Sequence, residues 1–148
     1  MTPTDSIVVD ADPDTVFDVL CDPQAYVTWV VGAHRLRDVD RHWPAEGARF
    51  HHAIGLRPVE MQDSTTMRHC DRPHLVQLEI KARPIIVADV EFRLEPTDGR
   101  TRITMSERPT GGLLWLAGPL SVPLLTLRNR LALHRLAGLL ERRGRSAA

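Results

Sequence analysis

The sequence predicts an α+β protein in which a curved antiparallel β-sheet wraps around a long C-terminal helix. Residues 34–107 form short segments with alternating apolar and polar side chains, separated by turn residues, a pattern typical of antiparallel strands. The last quarter of the chain repeats leucine at helical spacing. Two short helices are indicated near the start. We expect an internal cavity between sheet and helix, and we expect function there.

Bulk properties limit the function classes. With 148 residues, we expect a single domain over 1–148. Lys plus Arg equals Asp plus Glu, 19 of each, which argues against a nucleic-acid partner. Cys21 and Cys70 belong to no CxxC motif, and the first residues lack a basic and apolar leader. We therefore expect reduced thiols and a cytoplasmic location.

The N-terminal elements follow from capping signals. Residues 6–10 predict a strand, because Ile7, Val8 and Val9 are β-branched. Asp12 is a good N-cap with Pro13 at the first helical position, and the helix that follows has one apolar face. Asp22 and the next proline end that helix and begin a second short one, which we expect Gly32 to close.

The middle of the chain predicts consecutive strands. Val76, Leu78 and Ile80 alternate with polar residues, as in a half-buried strand. Asp98-Gly99 is a hairpin signal, and the turn at residues 56–58 allows a bulge. The predicted strands cover residues 34–40, 48–55, 59–70, 75–82, 85–94 and 101–107.

The C-terminal part begins with an uncharged run, residues 109–127, which prolines and glycines interrupt. These breakers argue against a membrane-spanning helix. The run either packs as an approach to the final helix, gates the cavity mouth, or touches a membrane or protein partner. The final helix then presents one apolar face with a single polar side chain, Asn129, in its middle; the face comprises Leu125, Asn129, Ala132, Leu133, Leu136 and Leu140.

Three segments carry a resemblance to a known family. They read IVVDADPDTVFDVLCDPQAYVTWV, PVEMQDSTTMRHCDRPHLVQLEIKARP and DGRTRITMSERP. The chain resembles, over nearly its whole length, the polyketide cyclase/dehydrase and lipid-transport group of the Bet v 1-like (START-like, SRPBCC) superfamily. The resemblance implies a helix-grip fold around a hydrophobic cavity that binds lipids, polyketides, hormones or other apolar molecules. It carries over no catalytic residue, because that group shares no catalytic motif.

Strand alternation places four polar side chains among apolar neighbours: His52, Asp63, Glu107 and Asn129. We expect at least two of them to line the cavity and orient a ligand. Ordinary structural roles stay open for each: a strand end for His52, an arginine partner for Asp63, a loop cap for Glu107 and a link to the sheet for Asn129. The expected cavity wall is apolar and consists of Trp29, Ile54, Met61, Met67, Leu78, Ile80, Val90, Phe92 and Met105.

The sequence thus favours binding of a small hydrophobic or amphipathic molecule, lipid- or polyketide-like. Two alternatives remain. One is a cyclase or dehydratase in which His52 and a nearby carboxylate move protons. The other is a protein-interaction module without ligand. No metal or cofactor motif is found, so we expect none. Peripheral membrane contact, and a monomer or a homodimer, stay open.

Overall fold

The computed structural model describes residues 3–30, 33–56 and 59–147, with side chains described except at 33, 34, 54–56, 59, 60 and 145–147. The described chain contains seven strands and four α-helices. In chain order they are β1 (Thr4–Val9), α1 (Pro13–Leu20), α2 (Pro23–Trp29), β2 (Ala33–Val39), β3 (Arg49–Leu56), β4 (Val59–Asp71), β5 (Leu75–Ala82), β6 (Ile86–Thr97), β7 (Arg100–Gly111), α3 (Gly112–Ala117) and α4 (Val122–Ala147). A 3₁₀ turn, Gly118–Ser121, joins α3 to α4.

The seven strands form one antiparallel sheet in the order β1-β7-β6-β5-β4-β3-β2. Every strand after β2 therefore pairs with its sequence neighbour, and β1 closes the sheet against the last strand. The helices cover one face of this sheet, and α4 packs chiefly against β1 and α2. The predicted α+β architecture, a curved antiparallel sheet with a long C-terminal helix, is confirmed.

The helix starts near the N-terminus follow their capping signals. The Asp12 carboxylate accepts a hydrogen bond from the Thr15 backbone N–H at 2.7 Å, and Pro13 begins α1. Asp22 caps α2 in the same way, accepting from the Gln24 N–H at 2.9 Å. The predicted closure of α2 by Gly32 lies outside the described residues.

The last hairpin is longer than predicted. Strand β6 continues to Thr97 and β7 continues to Gly111, where the sequence suggested ends at 94 and 107. Prolines concealed both extensions. Pro109 lies opposite Ala88 in the β6–β7 pairing, while β1 pairs with β7 only as far as Ser106. The Glu107 N–H still donates to the Pro3 carbonyl oxygen, and past it no described strand pairs with this edge of β7. The missing N–H of Pro109 therefore breaks no described hydrogen bond.

The buried face of α4 is the one that the leucine spacing predicts. Leu125, Asn129 and Leu136 are each at most 1% exposed. The sheet contributes a matching buried face, and α1 and α2 fill the remaining side. The core includes Val16, Phe17, Leu20, Tyr26, Trp29, Phe50, Met67, Val76, Leu78, Val90, Phe92, Leu94, Ile103, Met105, Leu125, Leu133, Leu136 and Leu140. Among the described helices, none combines the length and hydropathy needed to cross a bilayer.

The junction between β7 and α3 depends on Gly112. Its φ is +85°, and a Cβ built there would lie 2.7 Å from the Ile85 carbonyl oxygen and from the Ile86 Cα. Backbone atoms cannot move aside as a flexible side chain does. Two backbone hydrogen bonds, from the N–H groups of Leu113 to Pro84 and of Leu114 to Ile85, hold α3 in this close approach.

Gly112→Ala should destabilise the protein by at least about 2 kcal/mol, because the new methyl group adds a backbone clash to the strain of a positive φ. Urea denaturation measures the free energy of unfolding. Gly118→Ala is the matched control, since Gly118 also has a positive φ (+57°) but no atom within 4 Å of its built Cβ. Equal losses for the two variants would contradict this account of the junction.

Candidate functional site

The inner face of the sheet is set by strand register. Cross-strand partners His52 and Asp63 lie on β3 and β4, and Glu107 on β7 lies opposite Val90 of β6. All three polar side chains point toward the helices, as alternation predicts, and each residue is at most 4% exposed. His52 is therefore not at a solvent-exposed strand end, the structural role that the sequence left open for it. The interior thus contains three titratable groups that water does not reach freely.

An aromatic cluster links α2 to this face. The Tyr26 ring lies 4.7 Å from Phe50 and 5.5 Å from the His52 ring, centroid to centroid. Trp29 meets Phe92 edge-on at 5.6 Å. The Tyr26–Phe50 and Trp29–Phe92 pairs are edge-to-face, and such pairs add about 0.5–1.5 kcal/mol each beyond simple burial. The cluster fixes α2 across β3 and β6 and forms one wall of the interior.

His52 is held in its neutral form. Its Nε2 lies 3.0 Å from the Thr65 Oγ1, which in turn lies 3.4 Å from the Tyr26 hydroxyl oxygen. The Tyr26 and Thr65 hydroxyls can each donate or accept, so this contact is compatible with either neutral tautomer of His52. Burial lowers the pKa of His52 from 6.5 to about 4, and the nearby Asp63 charge only partly offsets this.

Asp63 is bound by an arginine that follows β5. The Arg83 guanidinium contacts both carboxylate oxygens, at 3.0 and 3.1 Å, and the Arg83 and Ser64 backbone N–H groups each donate at 2.9 Å. Burial alone would raise the pKa of Asp63, but these hydrogen bonds outweigh it and hold the pKa below its ordinary value. The Asp63 carboxylate is therefore not free to orient a ligand. The arginine partner that the sequence left open is the observed arrangement.

Glu107 is bound by an arginine on α4. The Arg128 Nη1 lies 3.2 Å from one Glu107 oxygen and 3.5 Å from the other. The Glu107 side chain is 1% exposed and that of Arg128 is 23% exposed, so the pair leads from the interior to the surface. Glu107 links β7 to α4 in the middle of a strand. It does not cap a loop.

Some buried polar atoms have no hydrogen-bond partner in the described part of the chain. These are Trp29 Nε1, His52 Nδ1 and both amide atoms of Asn129. They lie on α2, β3 and α4, the elements that enclose the interior. The amide of Asn129 therefore does not link α4 to the sheet backbone. An unpaired buried donor or acceptor costs about 1–3 kcal/mol, so four such atoms together are a notable feature of one small protein.

The apolar residues expected around a cavity are mostly buried. Trp29, Met67, Leu78, Val90, Phe92 and Met105 are each at most 4% exposed, and Ile80 is 7% exposed. Met61, near the start of β4, is only partly buried, so it is a weaker wall residue than expected. The side chain of Ile54 lies outside the described residues.

Two clefts are described, and both lie outside the sheet–helix interior. One of about 530 Å³ lies on the outer face of the sheet, over β5, β6 and β7. Its charged side chains pair with each other, as in Arg68–Glu79 at 2.8 Å and Arg108–Asp89 at 2.7 Å, which is typical of a solvated face. The other, about 250 Å³, lies between β7 and the α3–α4 junction, with Trp115 and Leu125 among its walls. The predicted internal cavity stays a prediction.

Two arrangements of the described side chains bear on catalysis and metal binding. His52 contacts Thr65 and neither carboxylate, so the His–carboxylate pair that a proton-transfer role requires is not formed in the described structure. Within the described ranges, no group of three His, Cys, Asp or Glu side chains is placed to hold a metal ion.

Sequence reasoning missed several residues of this site. Tyr26 and Thr65 lie on the buried faces that the periodicity gave, but no motif distinguished them from other core residues. Arg83 and Arg128, the partners of the buried carboxylates, lie far from them in sequence, 20 and 21 positions away. Only the packing of the folded chain brings each arginine next to its carboxylate.

Comparison with known proteins agrees with the fold. The chain resembles the protein NE0264 from Nitrosomonas europaea, with 16% identity, 97% and 96% of the two chains covered and a TM-score of 0.73. It also resembles CalU16 from Micromonospora echinospora, with 17% identity, coverages of 94% and 73% and a TM-score of 0.64. DynU16, titled as a protein of the dynemicin biosynthetic locus, has 17% identity and a TM-score of 0.70 over 95% of this chain and 47% of its own.

These likenesses define the class of protein: a helix-grip domain. A family model described as polyketide cyclase / dehydrase and lipid transport matches residues 2–141. The chain therefore belongs to this family. No curated protein matches the sequence.

Acidification should destabilise the protein through His52. Between pH 6.5 and about pH 4 the unfolded chain binds a proton at this residue that the folded protein excludes, so stability present above pH 6.5 is lost as pH falls. The expected loss is about 3 kcal/mol at the acid end of the window. His52→Gln should reduce this pH dependence, measured by denaturant unfolding across the window. His134 is exposed, so His134→Gln is the control. If His134→Gln reduces the pH dependence of stability and His52→Gln does not, the assignment of this dependence to His52 is wrong.

Arg128→Met should destabilise the protein by about 3 kcal/mol, because it leaves the buried Glu107 carboxylate without its partner. Adding Glu107→Gln should restore most of the loss, since a neutral amide needs no counter-charge. A double-mutant cycle of urea denaturation measures both effects. Arg130→Met breaks a more exposed pair with Asp5 and should cost less than about 1 kcal/mol. Similar losses at Arg128 and Arg130 would show that Glu107 does not depend on Arg128.

Proposed function

We propose that the protein binds one small, largely apolar molecule in the interior between α2, α4 and the inner face of the sheet. The observation that carries the proposal is the set of four buried polar atoms, on Trp29, His52 and Asn129, that have no partner among the described residues. A bound molecule with suitable polar groups would satisfy them. Membership of a family described by polyketide cyclase, dehydrase and lipid transport supports a hydrophobic ligand.

The apolar surroundings favour a mostly hydrocarbon or aromatic ligand. Met67 and Met105 are flexible and polarisable, so they adapt to ligands of irregular shape. Trp29 and Phe92 offer ring edges and faces for stacking. Each Å² of apolar ligand surface removed from water contributes about 25 cal/mol to binding. The apolar side chains therefore contribute binding free energy without selecting strongly for the shape of the ligand.

The polar groups favour a neutral oxygen on that ligand. The carboxylates of Asp63 and Glu107 are both bound by arginines, and His52 is neutral because its pKa falls to about 4. Among the described residues, what remains available is one indole N–H, one amide and one imidazole nitrogen. These match a ligand carbonyl or hydroxyl better than a free carboxylate, whose charge would have no partner inside.

The alternatives are less well supported. A cyclase or dehydratase would need a base paired with a carboxylate, and His52 lacks that pair. A ligand-free interaction module would leave the unpartnered polar atoms unexplained.

The cytoplasmic setting expected from the sequence remains part of the proposal, and Cys21 and Cys70 are both free thiols.

Asn129→Leu should stabilise the ligand-free protein by about 1–3 kcal/mol, because it removes two unpaired polar atoms from the interior. Asn129→Ala removes the same two polar atoms without adding side-chain volume. Both variants should bind naphthalene-2-ol at least tenfold more weakly than the unchanged protein. Unfolding in urea gives the stability, and the indole NMR signal of Trp29 reports the binding in all variants.

Gln77→Leu is the matched control, since the Gln77 amide donates to Glu91 at 2.9 Å on the outer face. It should leave binding unchanged and should not stabilise the protein. If Asn129→Leu and Asn129→Ala both destabilise the ligand-free protein, the amide has a structural partner and the proposal fails. If naphthalene-2-ol shifts only the indole NMR signal of Trp115, the ligand binds at the surface, which would likewise contradict an interior site.

A further inference from the structure

The α3–α4 region exposes an unusual concentration of apolar side chains. Eight large apolar residues are exposed in the described structure, and seven of them fall within residues 113–131. We call these seven the leucine surface: Leu113, Trp115, Leu116, Leu120, Leu124, Leu127 and Leu131. Their exposure runs from 43% at Leu131 to 85% at Leu120. Exposed apolar residues scattered singly need no explanation, but seven of them within nineteen residues of sequence indicate a contact surface.

On α4 the surface is a stripe at helical spacing. Leu124, Leu127 and Leu131 recur three and four residues apart, on the side opposite the buried Leu125 and Leu133. The same stripe continues into the second half of α4 as Arg135 and Arg142, both exposed. One face of the helix is thus apolar at its start and cationic at its end. Sheet packing does not use this face.

The charged side chains of the region are mostly basic. Residues 108–140 contain no Asp or Glu, their ionisable side chains are arginines and His134, and the acidic Glu141 precedes Arg142. Arg108, Arg128 and Arg130 contact carboxylates from other elements, namely Asp89, Glu107 and Asp5. Among the described residues, Arg135 and Arg142 have no carboxylate partner.

We propose that the leucine surface docks the protein onto a membrane surface that contains anionic phospholipid. Leucine and tryptophan side chains fit the boundary between headgroups and acyl chains. Arginines beside them reach the phosphate and carboxylate groups of anionic headgroups. A second copy of this chain fits less well, because the leucine surface offers no carboxylate to Arg135 and Arg142. The proposal does not depend on the interior ligand proposed above.

Vesicle flotation tests the proposal, with vesicles of phosphatidylcholine alone or of phosphatidylcholine with phosphatidylserine. The protein should float with the anionic vesicles and bind the neutral ones at least tenfold more weakly. Leu120→Gln with Leu127→Gln should abolish flotation on both, because these two side chains are among the most exposed of the surface. Their exposure also lets the double variant fold, which circular dichroism checks.

Arg135→Gln with Arg142→Gln should weaken binding to anionic vesicles on the order of tenfold and leave binding to neutral vesicles unchanged. Arg100→Gln with Arg102→Gln is the matched control, since it removes two exposed arginines from the far end of β7. If the two arginine variants lose binding to anionic vesicles equally, the proposal is overturned, because binding would then depend only on the net charge of the protein. Absence of flotation by the unchanged protein would also overturn it. A dimer in sedimentation that Leu120→Gln with Leu127→Gln dissociates, without vesicle binding, would identify a homodimer interface instead.

Discussion

Asn129 lies in the middle of the buried face of α4, surrounded by leucines, and neither of its amide atoms has a partner in the described structure. A leucine there would avoid this cost. The same cost recurs at His52 Nδ1 on β3 and at Trp29 Nε1 on α2. Unpaired polar atoms of this kind lower stability unless a bound molecule pairs with them. The functional account depends on this constraint.

The buried charges follow a different rule. Asp63 and Glu107 are each bound by an arginine that extends toward solvent, so neither leaves a net charge inside. These pairs also connect elements, since Arg83 follows β5 and Arg128 belongs to α4. Charge is therefore used for structure, while neutral hydrogen-bonding groups remain available in the interior. Such a division favours ligands that are apolar apart from a carbonyl or hydroxyl oxygen.

Much of the fold follows from local signals, and much of the site does not. Alternation in β5 predicted which side chains face inward, and the caps Asp12 and Asp22 predicted the first two helices. Pro109 hid the end of β7, because a proline is compatible with a strand only where its edge is free. The arginine partners of Asp63 and Glu107 depend on register and on where turns return the chain, which single-residue patterns do not encode. The missing partner of Asn129 is likewise a property of the packed interior.

A high-resolution crystal structure of the protein purified from its own source would test the central claim most directly. The account predicts density for an organic molecule between α2, α4 and the sheet, within hydrogen-bonding distance of the Asn129 amide, His52 Nδ1 or Trp29 Nε1. An interior filled by side chains, with the Asn129 amide hydrogen-bonded to protein groups, would contradict it.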